Sequence, residues 1–135
     1  MAAMMGATAF QKGLGVCHSL AHPLSSLAGM HHGLANAVLL PYVVSFNGEM
    51  ARDTYALVRQ RLGCTQDLQS WLVELRKELG IQHTLTEAGI DRGLLAALSE
   101  QAFDDACHRS NPRACTPADM TRLYEAAFDG VLDVH

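Results

Sequence analysis

His18, His22 and His32 fall within one short run, KGLGVCHSLAHPLSSLAGMHHGLANAVLLPYVVSFN. Neutral imidazole is a ligand for iron, zinc, copper and nickel, and a catalytic metal site keeps a position open for water or substrate. His18 and His22 are four apart, so on a helix they share one face, a turn apart. His32 stands at the start of a second, almost wholly apolar helix. Two imidazoles on one helix and a third at the mouth of the next can converge on a single ion. Buried, hydrogen-bonded core histidines show the same spacing, so spacing alone leaves both readings open. No acidic residue occurs between Met1 and Asn47, so a carboxylate ligand has to come from elsewhere. Asp104 and Asp105 could supply one, although nothing in their spacing demands it.

The elements that must position these side chains read as helix after helix, with no convincing alternating strand. Residues 2–22 are expected to form a small-residue helix, interrupted or loosened near Gly13 and Gly15, and residues 23–29 a connection. An apolar helix is expected from about His31 to Phe46, with Pro41 kinking it or marking a boundary. Ala51, Tyr55, Val58 and Leu62 give the next stripe, stopped by Gly63. Thr65 is expected to cap a helix carrying Leu68, Trp71, Leu72, Leu75 and Leu79 as its core face, with Gly80 as its stop. Thr84 to Glu87 has the capping-box pattern before a short turn of helix. Leu94, Leu95, Leu98 and Ala102 mark another amphipathic helix. After the loop HRSNPRACTP, Thr116 with Pro117 opens the last one, whose apolar face is Met120, Leu123, Tyr124 and Ala127. The expected fold is an all-α, multi-helix bundle, with residues 1–135 forming a single domain.

Composition narrows the class of partner. Ten basic against 14 acidic residues give a net charge of −4, and no basic cluster is present, which argues against nucleic acid and anionic membrane. The longest apolar stretch, Leu34 to Val44, is interrupted by Asn36 and too short to span a bilayer. The N-terminus lacks the positive region and long apolar region of a secretory signal. Cys17, Cys64, Cys107 and Cys115 show neither a CxxC pair nor a disulfide-framework spacing, so a reducing cytoplasm is expected. Cys17 faces away from the His18–His22 stripe on an ideal helix and reads as a core residue. Trp71 reads as core, and His83, His108 and His135 as surface or loop residues, with the loop around His108 able to approach the site.

The run from Lys12 to Asn47 closely resembles the signature of the iron-containing (group III) alcohol dehydrogenases. The matching elements are GLGxxHxxAHPL at Gly13 to Leu24 and HGLANAxLLPYVxxFN at His32 to Asn47. The NPR at Asn111 to Arg113, followed by Thr116, Asp119 and LYEAA, resembles the family's C-terminal end. The resemblance covers essentially the whole chain, and its first motif is long with fixed internal spacing.

This resemblance implies a two-domain enzyme, with an N-terminal α/β domain for the nicotinamide dinucleotide and a C-terminal all-helical domain for metal and substrate. The family's metal is held by an Asp-x-x-x-His pair and two further histidines fourteen apart, which His18 and His32 match. The motif thereby favours His32 over its neighbour His31; consecutive helical residues point about 100° apart, so only one faces the ion. His22 matches a family residue beside the metal and nicotinamide that relays a proton or orients substrate. The implied cofactors are Fe²⁺, with Zn²⁺ possible, and NAD or NADP. The implied substrate is a small alcohol or aldehyde, and the implied assembly includes the dinucleotide-binding domain and a homodimer. The Asp-x-x-x-His half of the site and any GxGxxG turn are absent from these residues. The chain is therefore expected to be the C-terminal part of such an enzyme and inactive alone. Two other classes stay in view: a standalone helical metal-binding protein recruiting Asp104 or Glu49, and a non-catalytic helical interaction fragment.

Overall fold

A computed structural model describes residues 1–134. Seven α-helices follow one another, with no strand among the described residues: α1 (Ala2–Phe10), α2 (Val16–Ser26), α3 (His32–Phe46), α4 (Arg52–Leu62), α5 (Leu68–Glu78), α6 (Leu95–Asp104) and α7 (Pro117–Asp129). Short 3-10 turns occupy Arg92–Leu94 and Ala106–Ser110. No helix is long and apolar enough to cross a membrane.

The core is built from α2, α3, α6 and α7. Leu20, Ala21 and Leu24 of α2, Val38, Leu39 and Tyr42 of α3, Leu98 of α6, and Leu123 and Tyr124 of α7 are fully buried. Helix α3 is apolar on nearly all sides, as expected of a helix packed on several faces. Its Pro41 lies inside the helix rather than ending it. Tyr124 Oη donates to the Leu20 carbonyl at 2.6 Å, tying α7 to α2. The expected cap of α7 is present in full. Thr116 Oγ1 accepts from Asp119 N, and the Asp119 carboxylate accepts from Thr116 N. Met120, Leu123, Tyr124 and Ala127 form its buried face as read from the sequence.

Several expectations need correction. Of the two alternatives for residues 2–22, interruption rather than loosening is observed, with two helices separated by residues 11–15. Gly13 there has φ of 98° and runs so close to Ser110 that a Cβ would meet its Oγ at 2.7 Å. The expected connection at residues 23–29 is helical as far as Ser26. Pro23 forfeits one backbone hydrogen bond, but α2 is held by the burial of Val16, Leu20 and Leu24 on either side of it. The ladder resumes with Leu27 N donating to Pro23 O at 2.8 Å.

The stripe of α4 is not a core face: the helix buries no residue, and Leu57, Val58 and Leu62 are exposed. Helix α5 is preceded by Asp67, not Thr65, at its N-cap. Its buried residues are Leu68, Val73 and Arg76, whereas Leu79 is exposed and Trp71 is half-buried. Arg76 takes the inner position because its guanidinium donates to the Val38 carbonyl at 2.6 Å and lies over the Tyr42 ring. Thr84 to Glu87 forms a turn rather than a helix, with Glu87 N bonded to Thr84 Oγ1 at 3.0 Å. The stops at Gly63 and Gly80 are both left-handed.

The NPR segment holds the entrance of α2. Asn111 Oδ1 accepts from Val16 N at 3.3 Å, so the first turn of α2 is capped from 95 residues away in sequence. The same amide pairs reciprocally with Asn47 just past α3, at 2.7 and 3.1 Å. Arg113 lies 4.1 Å from the centre of the Phe46 ring and donates to the Phe46 carbonyl. One loop thus sets both histidine-bearing helices relative to each other.

Candidate metal centre

The three histidines meet. His18 and His22 project from α2, and His32 opens α3, which its neighbour His31 caps from outside the helix. Ring centroids lie 5.4 Å apart for His18–His32, 5.3 Å for His22–His32 and 6.0 Å for His18–His22. His18 and His22 are half-buried, and His32 is exposed, so the cluster is open to solvent on one side.

Relative ring orientation separates the pairs. Two imidazoles sharing an ion at about 2.1 Å per nitrogen have centroids roughly 4.6–5.3 Å apart for right-angle to tetrahedral geometry. His18 and His32, tilted by 52° and 5.4 Å apart, lie at the wide, tetrahedral end of that range to within about 0.1 Å. His22 and His32 are stacked with only 19° between their planes. Lone pairs that lie in two stacked, nearly parallel ring planes are poorly placed to share one ion. The donor set of His18 and His32 therefore suits a divalent transition metal, and His22 stands beside that pair.

Burial lowers the His18 pKa, and charge on His32 or His22 would lower it further, against the opposing pull of Asp105. A depressed pKa keeps the imidazole in its neutral, ligating form. One turn further along α3, Asn36 Nδ2 lies 3.0 Å from His32 Nε2, while Asn36 Oδ1 is buried without a partner.

Asp105 holds His22. Its Oδ2 lies 2.7 Å from His22 Nδ1, across 83 residues of sequence. Its Oδ1 accepts from Ser19 Oγ at 3.0 Å and from Cys107 N at 2.8 Å. Ser19 Oγ in turn accepts from His108 N at 2.8 Å. Burial pushes the Asp105 carboxyl up, but hydrogen bonds from His22, the Cys107 backbone and thiol, and Ser19 outweigh it. The group lies well below the usual carboxylate range. An ionised Asp105 assigns the ring proton to His22 Nδ1 and leaves Nε2 as an acceptor.

Spacing did not single out Asp105 over Asp104. The local signal available was its position before ACHRS, where its side chain caps the 3-10 turn. Asp104 and Glu49 are exposed. Cys17 is a core residue as expected, packed against the main cluster with its thiol pushed up to about 12 by burial. His108 brings its backbone to the network, but its ring stacks on Phe103 and lies 2.9 Å from the Phe103 carbonyl. His83 is bonded to Arg76 and takes no part. His135 lies outside the described residues.

The fold is an all-helical domain that brings imidazoles from two helices together, and comparison with known proteins identifies its family. The model of the Fe-containing alcohol dehydrogenase family, C-terminal, matches residues 1–128, and the chain belongs to that family. It is 36% identical to 4-hydroxybutyrate dehydrogenase of Cupriavidus necator, over 94% of this chain and 36% of that protein. It is 32% identical to lactaldehyde reductase of Escherichia coli K12, over 86% of this chain and 33% of that protein. The crystal structure of a 1,3-propanediol oxidoreductase superposes with a TM-score of 0.78 at 29% identity, covering 85% of this chain and 33% of the other. The chain thus spans about a third of the length of the relatives it matches.

Proposed function

We propose that this chain supplies the metal- and substrate-facing domain of a nicotinamide-dependent alcohol dehydrogenase that oxidises a small primary alcohol or reduces the corresponding aldehyde. The observation that carries the proposal is the convergence of His18 and His32 at ligand spacing, in a domain of this family. His18 and His32 are the metal ligands contributed by these residues, and Fe²⁺ is the ion the family description favours, with Zn²⁺ the alternative. Bound there, a divalent ion supplies Lewis-acid stabilisation of charge on the substrate oxygen. His22, with Nδ1 donating to Asp105, offers Nε2 to take the hydroxyl proton. The Asp105 carboxylate then stabilises the imidazolium. Ser19 and the backbone around Cys107 keep that carboxylate in place.

The remaining ligands, an Asp-x-x-x-His pair, and the NAD or NADP site are assigned to a dinucleotide-binding domain outside these residues, in an assembly that includes a homodimer. The free thiols suit a cytoplasmic setting. A standalone metalloprotein or an interaction fragment is not favoured, since neither accounts for a family match over residues 1–128.

The test joins this chain to the N-terminal two thirds of the Cupriavidus necator relative and loads the chimera with Fe²⁺. Nicotinamide-dependent turnover of a primary alcohol is expected, with none from the chain alone. His18→Ala or His32→Ala should strip the metal, whereas His22→Ala should keep it and lower kcat by about 10²–10⁴. A folded chimera whose metal content ignores His18 and His32 would refute the ligand assignment.

A further inference from the structure

The two oxygens of Asp105 have different surroundings. Oδ1 is tethered by Ser19 Oγ and Cys107 N, whereas Oδ2 lies against His22 Nδ1. One ligand atom each from His22, Asp105 and Cys107 lie within 4.8 Å of one another. Among the described residues this is the one group of three or more His, Cys, Asp or Glu donors that close.

We propose that His22, Asp105 and Cys107 form a zinc site of their own beside the His18–His32 pair. The donor set is one imidazole, one carboxylate and one thiolate, whose two negative charges balance a dication. His18 and His32 bring only neutral imidazoles from this chain, so a free divalent ion gains more from the trio. Thiolate also selects a borderline-soft ion such as zinc over harder ones.

Geometry requires little change. Around a tetrahedral zinc ion, nitrogen, oxygen and sulfur ligands sit about 3.3–3.6 Å apart. The 2.7 Å imidazole–carboxylate contact must open by about 0.6–0.9 Å, through small side-chain rotations. The thiol must close by at most about 1.2–1.5 Å from the 4.8 Å limit of the group. The carboxylate is already oriented through Oδ1, and Ser19 is itself fixed by His108 N, which is the outer-shell support that ligating carboxylates use. All three side chains are half-buried, which leaves the fourth position to water.

Protons balance as follows. Without metal, burial and the adjacent Asp105 carboxylate hold the Cys107 thiol up near 11. Binding drives the thiol proton to solvent, as a coordinating dication does. His22 gives up the Nδ1 proton to the ion's position and regains one at Nε2, so one proton leaves per zinc bound. The His22 tautomer is thereby inverted, and Nε2 changes from acceptor to donor. On the function proposed above, in which His22 accepts the proton, zinc at this site blocks the relay without displacing the ion at His18 and His32.

The experiment uses the purified full chain and Co²⁺ as the probe, with zinc as competitor. A thiolate-to-cobalt charge-transfer band should appear, vanish on adding zinc, and be absent in Cys107→Ser with affinity down by at least about tenfold. Asp105→Asn should weaken binding likewise. His18→Ala and His32→Ala should leave the band in place, and circular dichroism verifies that each variant is folded. No thiolate band in the unmodified chain overturns the proposal, as does a band that survives Cys107→Ser. Cobalt bound without that band and released by His18→Ala also overturns it, while leaving the two-imidazole centre standing. A retained band with no further binding that depends on His18 or His32 supports the zinc site and counts against that centre.

Discussion

Replacing Asp105 tests whether one carboxylate organises this end of the bundle. In Asp105→Ala, four donors lose the carboxylate: Ser19 Oγ, the Cys107 backbone N–H and thiol, and His22 Nδ1. Ser19 is fully buried, so water does not replace the bond freely. The two bonds to Oδ1 contribute about 1 kcal/mol each. The His22 bond is charge-assisted, but its side chain is 42% exposed, so solvent screening limits it to about 0.5–1 kcal/mol. The oxygen and nitrogen donors together contribute about 2.5–3 kcal/mol. At roughly 2.1 cal/mol/K of unfolding entropy per residue, that lowers Tm by about 9–11 °C for a domain of this size.

Asp105→Asn separates the two roles. Its carbonyl oxygen can still accept from Ser19 and Cys107, so stability should fall by only about 0.5–1 kcal/mol. Its amide would then face His22, which must present a bare Nδ1 and carry its proton on Nε2. Urea unfolding measures the first effect, and ¹⁵N chemical shifts of the His22 ring measure the second. An Asp105→Ala chain within about 0.5 kcal/mol of the parent, or a His22 proton still on Nδ1 in Asp105→Asn, would refute the reasoning.

Other changes have equally definite outcomes. Thr116→Ala removes the cap of α7 and should cost about 1 kcal/mol, whereas Thr116→Ser should be close to neutral, both read from urea midpoints. Tyr124→Phe deletes the buried bond to the Leu20 carbonyl and should cost about 1–2 kcal/mol in the same assay. The Asp105 and Asp119 carboxyls both lie below their ordinary values, since hydrogen bonds outweigh burial. A depressed carboxylate stabilises the fold above its unfolded pKa of about 4, and loses that contribution as pH falls through the folded value. Unfolding midpoints should therefore fall mildly as pH drops through about 6.5, where the depressed His18 makes the unfolded chain bind more protons, and decline further below about pH 4. Asp119→Asn should flatten that decline; an unchanged acid profile would count against it.

Local pattern determined a good deal of this protein. Helical periodicity announced α6 and α7, because an apolar face must be buried wherever it occurs, and an almost wholly apolar run announced α3. The Thr116–Pro117 cap was legible because its partner Asp119 sits three residues away. The histidine cluster was legible too: His18 and His22 share a helix face, and only the connection to His32 had to be right. Pro23 and the α4 stripe misled for a common reason. Local preference marks what a segment tolerates, whereas burial depends on what packs against it: α2 is held through Pro23 by buried side chains, and α4 lies outside the core. Asp105 and Asn111 could not be assigned from spacing, since they reach His22 and Val16 from 83 and 95 residues away. Spacing along one helix is fixed by the chain's own geometry. Contacts between distant segments exist only once the bundle closes, and so the tertiary structure alone decided which carboxylate stands behind His22.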